Sequence, residues 1–170
     1  MSRVEQFGDA TLYLGDCREL LPELHADAVI SDPPYGINYV HSGAHGGAIG
    51  TTAAAKARGN VAIAGDNQPF DPAPWLRFDE IILWGADHFY QRLPATGRFL
   101  AWNKLGTLAP WDSFSDVEFA WHSRTGAARI FSLMWKGIIS GKRCENNGLR
   151  EHPMQKPIAL MAWCIQQAGL

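Results

Sequence analysis

Short apolar runs, each cut off by a polar turn, organise most of the chain. Ala10-Thr11-Leu12-Tyr13-Leu14 is β-branched and apolar and predicts a strand. Gly15-Asp16-Cys17 turns it, and Arg18 to Leu24 reads as a short helix. A second apolar run, Ala26-Asp27-Ala28-Val29-Ile30, predicts a short buried strand ending at Ser31-Asp32. Together these segments predict a βαβ unit with Asp16 and Asp32 at equivalent strand ends. Glu80-Ile81-Ile82-Leu83-Trp84 and Arg98-Phe99-Leu100-Ala101-Trp102 predict two more strands. Glu118 to Trp121 and Arg129 to Trp135 are expected to pair as antiparallel neighbours. Asp71-Pro72-Ala73-Pro74-Trp75-Leu76 reads as a helix start, because proline suits the first turn. Pro157, then Ile158, Leu160, Met161, Cys164 and Ile165, predict an amphipathic helix to Ala168.

Two stretches break this pattern. Residues 41–64 are rich in Gly, Ala and Thr and poor in large apolar groups, which predicts a long mobile loop. Its histidines have no carboxylate or cysteine cluster beside them, so no metal is expected there. Residues 137–151 read as a second loop. From Lys136 to Lys156 the cations Lys136, Lys142, Arg143, Arg150 and Lys156 face Glu145 and Glu151, and five minus two leaves +3. That excess suits contacts with phosphates, or simply a solvated loop.

The whole chain of 170 residues has a formal charge of −2, so DNA contacts would depend on local patches of this kind. At 46% hydrophobic and 19% charged it is globular in composition and of single-domain size. Cys17, Cys144 and Cys164 form no C-x-x-C pair, which argues against a metal or disulfide framework and for a reduced, cytoplasmic setting. No apolar run approaches membrane-spanning length, and the first residues carry no signal-peptide core.

The most specific chemistry lies at Ser31-Asp32-Pro33-Pro34-Tyr35. Two prolines end the strand and hold the chain extended, making a stiff corner at the strand's carboxyl end. Ligands of open α/β sheets bind along that edge. The corner offers one carboxylate, backbone carbonyls and an aromatic ring. Those parts suit the exocyclic amine of a planar base, which has two N–H donors and a stacking face.

Asp32-Pro33-Pro34-Tyr35 resembles the Asp-Pro-Pro-Tyr motif of beta-class amino-group DNA methyltransferases, in the form typical of adenine-N6 enzymes. Leu12 to Cys17 resembles the segment upstream of that motif. Trp84-Gly85-Ala86-Asp87-His88-Phe89 and Phe99 to Lys104 look like small phage and prophage adenine methylases. His152-Pro153-Met154-Gln155-Lys156-Pro157 is similar to the family's His-Pro-x-Gln-Lys-Pro element. The resemblance spans nearly the whole chain and implies methyl transfer from S-adenosylmethionine to N6 of adenine in double-stranded DNA. It implies Asp32, Pro33, Pro34 and Tyr35 as catalytic, with Asp32 and the Pro33 carbonyl accepting the two amine hydrogens and Tyr35 stacking on the flipped base. It implies Asp16, Cys17, His152, Gln155, Lys156 and Pro157 as cofactor-binding; for Asp16 a helix N-cap is the alternative. Lys136, Lys142, Arg143 and Arg150 are the candidate DNA contacts. The setting implied is the cytoplasm of a bacterial or phage-infected cell.

One departure matters. The family's Asp-Pro-Phe-x-Gly-x-Gly turn, which holds the cofactor, follows the element like residues 152–157 and is not found here. The expected fold is therefore an α/β, Rossmann-like S-adenosylmethionine-dependent methyltransferase fold, permuted and lacking its C-terminal strands. The strand ending at Asp32 should lose one neighbour, and a second chain or swapped copy could complete the sheet. A cytosine-N4 methyltransferase is disfavoured, since those usually carry Ser at the Asp32 position. An inactive DNA-binding remnant or partner subunit is the other alternative.

Overall fold

A computed structural model of the chain describes residues 3–41, 61–109, 115–136, 139–140 and 155–170. Its centre is a five-stranded mixed sheet. The strands are β3 (Val29–Ser31), β6 (Ile81–Trp84), β7 (Arg98–Asn103), β8 (Val117–His122) and β9 (Arg129–Ser132), in the order β3-β6-β8-β7-β9. β3 runs parallel to β6, β6 and β7 each run antiparallel to β8, and β9 runs parallel to β7. Among the described residues β3 is thus an edge strand, with β6 on one side.

All four residues of β6 are buried. Successive side chains point to opposite faces of a strand, so such a run marks a sheet covered on both sides. On one face Ile82 and Trp84 join Leu100, Trp102, Ala120 and Trp135 beneath the helix Ile158–Ala168. That helix presents Leu160, Cys164 and Ala168, spaced four apart, to the sheet. On the other face Ile81 and Leu83 meet Phe70, Trp75, Phe89 and Trp121. Phe70 is the hub there, with ring centroids 4.8 Å from Trp75 and 4.6 Å from Phe89. Each fully buried aliphatic side chain contributes roughly 1.5–3 kcal/mol.

Three expectations need correction. The run Ala10–Leu14 (β2) does not share a sheet with β3. It forms an antiparallel hairpin with Arg3–Phe7 (β1), in register from Arg3↔Leu14 to Phe7↔Ala10. The local strand-turn-strand pairing engages one edge of β2 away from the central sheet, so no βαβ unit forms. The short helix after it, α1 (Cys17–Leu20), passes into a 3-10 turn over Leu21–Glu23, where Pro22 falls. The Asp71–Leu76 segment makes turns rather than a regular helix: Asp71 Oδ1 accepts from the Ala73 amide at 3.0 Å, and Pro72 O accepts from Trp75 and Leu76. Finally, β8 and β9 run in opposite directions, but β7 lies between them. Short ladders pair β4 (Val40–His41) with β5 (Val61–Ala62), and β10 (Trp135–Lys136) with β11 (Ile139–Ser140). Most of the expected loops at 41–64 and 137–151 lie outside the described residues.

Candidate active site

β3 delivers Asp32 to the end of the sheet beside β6. The two prolines then swing Tyr35 across the end of β6, where Gly85 stands. Gly85 has φ +76°, and any Cβ built on it would fall inside the Tyr35 ring. The glycine therefore serves twice, as a left-handed backbone position and as the space the ring occupies. Immediately after it, α2 (Ala86–Phe89) carries His88, whose ring stacks on Tyr35 at 5.0 Å and 18°.

The chain beyond Tyr35 is held by a residue the sequence reading did not single out. Asp66 is 2% exposed, and its carboxylate accepts backbone N–H bonds from Gly36 at 2.8 Å and Tyr39 at 2.6 Å, with Ile37 at 3.4 Å. Burial alone would raise this carboxyl, but the amides outweigh it and hold Asp66 below the usual carboxylate range. Gly36, at φ +78°, passes so close to Gln68 and Pro69 that a Cβ would lie 2.6 Å from the Gln68 carbonyl oxygen.

Asp32 is the start of a chain of charges. Its Oδ1 accepts from the Tyr35 hydroxyl at 2.6 Å, and its Oδ2 lies 3.0 Å from Lys156 Nζ. The same ammonium donates to Glu118 Oε2 at 2.8 Å, and Lys104 Nζ donates to Glu118 Oε1 at 2.9 Å. Two carboxylates thus alternate with two ammonium groups. Lys156 is 11% exposed and Lys104 15%. Burial pushes Glu118 up, but Lys156 and Lys104 outweigh it and bring its carboxyl down. Burial likewise pushes Lys156 down, and Glu118 and Asp32 reverse it, so the ammonium is held above its ordinary range. Burial, then the Asp32 charge, lifts the Tyr35 phenol above its own range, so it keeps its proton and donates.

The structure therefore brings Asp32, Tyr35 and Lys156 together, and adds Glu118, Lys104 and His88. It places Asp16 in a different setting. There its carboxylate caps α1, accepting from the Arg18 amide at 2.9 Å and from the Arg18 guanidinium, which lowers its pKa to about 2. Cys17 is exposed on that turn. The Gln155 carbonyl accepts from the Trp135 indole at 3.1 Å, and buried Pro157 precedes the last helix. His152, Lys142, Arg143 and Arg150 lie outside the described residues, as does the side chain of Lys136. Among the described residues no group of three or more His, Cys, Asp or Glu is arranged to hold a metal.

A cleft of about 260 Å³ opens beside this corner, lined among others by Tyr35, Ile37, Phe70, His88, Tyr90 and Arg92. Pockets for drug-sized ligands measure roughly 300–1,000 Å³, so this cleft lies just below that range. Arg92 reaches back to the Phe70 carbonyl at 2.8 Å and so fixes one wall. Among the described residues no helix is long and apolar enough to cross a membrane. No family model, curated protein or solved structure matches this chain.

Proposed function

We propose that this chain carries the target-base site of a DNA methyltransferase acting on N6 of adenine, with S-adenosylmethionine as methyl donor. The observation that carries the reading is the Asp32 carboxylate at a Pro-Pro corner, fixed between the Tyr35 hydroxyl and the Lys156 ammonium. A base inside a duplex cannot be reached, so the adenine is flipped out of the stack to meet the Pro-Pro corner. Asp32 and the Pro33 carbonyl accept the two hydrogens of the amine. This turns the nitrogen lone pair out of conjugation with the ring. Asp32 gives up the Tyr35 hydroxyl to do so, which leaves the phenol free beside the base. Positioning and electrostatics supply most of the rate; once methylated the nitrogen is strongly acidic, so it releases its surplus proton to water by way of Asp32 and no strong base is needed.

The donor, when bound, supplies an electrophilic methyl group. The described residues do not fit a cradle for it. The Asp16 carboxylate, matched by resemblance to the donor's adenosine, is committed to Arg18. Lys156, matched to the methionine end, is committed to Asp32 and Glu118. Gly85 follows a strand, but its open side is filled by the Tyr35 ring.

The test is expression in a host free of DNA methylation, followed by mass analysis of the digested nucleosides. N6-methyladenine that disappears on Asp32→Ala is the expected result. N4-methylcytosine instead would select the cytosine reading. Unmethylated DNA that the purified chain still binds would select a non-catalytic DNA-binding role and refute the enzyme.

A further inference from the structure

Glu118 takes no part in the amine contacts above, yet it sits at the centre of the charge chain. It lies on β8, one strand beyond β6 from the edge strand that carries Asp32. Each of its oxygens faces a different ammonium, Lys104 at 2.9 Å and Lys156 at 2.8 Å. Lys104 is anchored in turn: its amide donates to Asp116 O at 2.8 Å, and its carbonyl accepts from the Trp135 amide at 3.0 Å. Lys156 stands at the entry to the last helix, whose first turn bonds back to Pro157 O. Glu118 therefore ties Lys156 to the rigid middle of the sheet, while Asp32 lies at its less supported edge.

We propose that Glu118 is a positioning residue, which fixes Lys156 so that the ammonium locks the rotation of the Asp32 carboxylate. The terminal torsion of an aspartate is broad, so an unheld carboxylate has no single plane. Two contacts from opposite sides define its plane here, the Tyr35 hydroxyl on Oδ1 and Lys156 on Oδ2. The first of these must open when a base amine arrives. The second then holds the plane alone, and it does so only while Lys156 is itself held. With Asp32, Glu118, Lys156 and Lys104 all ionised the group sums to zero charge, so the lock introduces no net charge into the half-buried site.

As a statement about rate, this inference rests on the methyltransferase reading; as a statement about geometry it does not. The experiment uses both readouts on the full chain. The first is methyl transfer to DNA, resolved into kcat and KM, for Glu118→Gln and Glu118→Asp. The expected result is a kcat lowered about 10–100-fold in Glu118→Gln, in line with the penalty for ångström-scale misplacement. KM should stay within about twofold, and Glu118→Asp should recover part of the loss. The second is fluorine NMR of chain labelled with 3-fluorotyrosine, with the Tyr35 line assigned among the four tyrosines by Tyr35→Phe. Glu118→Gln should broaden and shift that line, because Asp32 no longer offers it one fixed acceptor. The pair Lys104→Gln with Glu118→Gln removes one charge of each sign. It guards against misfolding from an unbalanced cation, and it should move the line in the same way. An unmoved Tyr35 line in both variants overturns the proposal, as does an equal loss of kcat and folding stability in Glu118→Gln and Glu118→Asp. A wild-type chain without methyl transfer refutes the enzyme reading only, and the Tyr35 line then decides the positioning role.

Discussion

Gly85→Ala is the sharpest test of how Tyr35 is seated. The added methyl would enter the space of the Tyr35 ring, which lies closer to it than any real carbon–carbon contact. The ring has little room to retreat, because His88 stacks on it at 5.0 Å and the hydroxyl is tied to Asp32 at 2.6 Å. Two costs follow. Alanine at φ +76° pays roughly 1–2 kcal/mol for the left-handed backbone. Overpacking adds about 1–3 kcal/mol. The sum is about 2–5 kcal/mol unless Tyr35 leaves its seat. At roughly 2–4 °C per kcal/mol for a chain of this size, the midpoint should fall by about 4–20 °C. Thermal unfolding by circular dichroism measures the fall. If the ring is expelled instead, the variant keeps most of its stability and the Tyr35 phenol ionises near the ordinary tyrosine value, read by absorbance at high pH. A variant with wild-type midpoint and a wild-type tyrosine titration would refute the seating.

Asp66→Ala should destabilise by about 2–4 kcal/mol, since the buried amides of Gly36 and Tyr39 lose their acceptor; urea unfolding checks it, and a change under 0.5 kcal/mol would contradict it. His122 is fully buried against Glu80, and its Nδ1 accepts from Arg98 at 3.1 Å, with Arg124 bound to the same Glu80 at 3.0 Å. Burial outweighs Glu80 and holds its pKa below the ordinary histidine range. The stability it confers is therefore complete above about pH 6.5 and lost as pH falls through the folded-state value. The wild type should lose more stability than His122→Gln on going from pH 7 to pH 5, and parallel urea midpoints would count against this. Cys17 is exposed, whereas burial pushes the Cys164 thiol up to about 11. Iodoacetamide at pH 8 should label Cys17 in the native chain and Cys164 only after unfolding, as peptide mass mapping would show.

How much of this was legible in the sequence depended on how local the cause was. Ile81–Trp84, Arg98–Asn103 and the helix Ile158–Ala168 follow from apolar periodicity alone, and the structure has them within a residue or two. The hairpin had a local signal that went unread: Val4 to Phe7, the pair Gly8-Asp9, then Ala10 to Leu14 is a strand, a two-residue turn and a strand. The placing of β7 between β8 and β9 has no such signal, because pairing across a sheet is settled by tertiary packing. The Pro-Pro corner was readable because proline constrains its own backbone. Glu118 and Asp66 were not. A lone carboxylate on a strand or a turn reads as a solvated charge, and only the fold brings Lys104 and Lys156, or three backbone amides, to it.

Stability alone is a poor reason for the four charges at the site to exist. Taking an ammonium and a carboxylate out of water costs several kcal/mol per ion, and their attraction at best roughly repays it. Lys156 at 11% exposure and Glu118 at 25% are far enough from solvent for that cost to matter. Apolar groups of similar size at positions 104, 118 and 156 would fill the same space without the cost. An apolar filling, however, would remove the Lys156 contact and, among the described residues, leave the Tyr35 hydroxyl as the side-chain partner of Asp32. The charges are therefore best understood by what they do to Asp32. They hold a carboxylate at the edge of a sheet in one orientation, beside a phenol whose own ionisation burial disfavours.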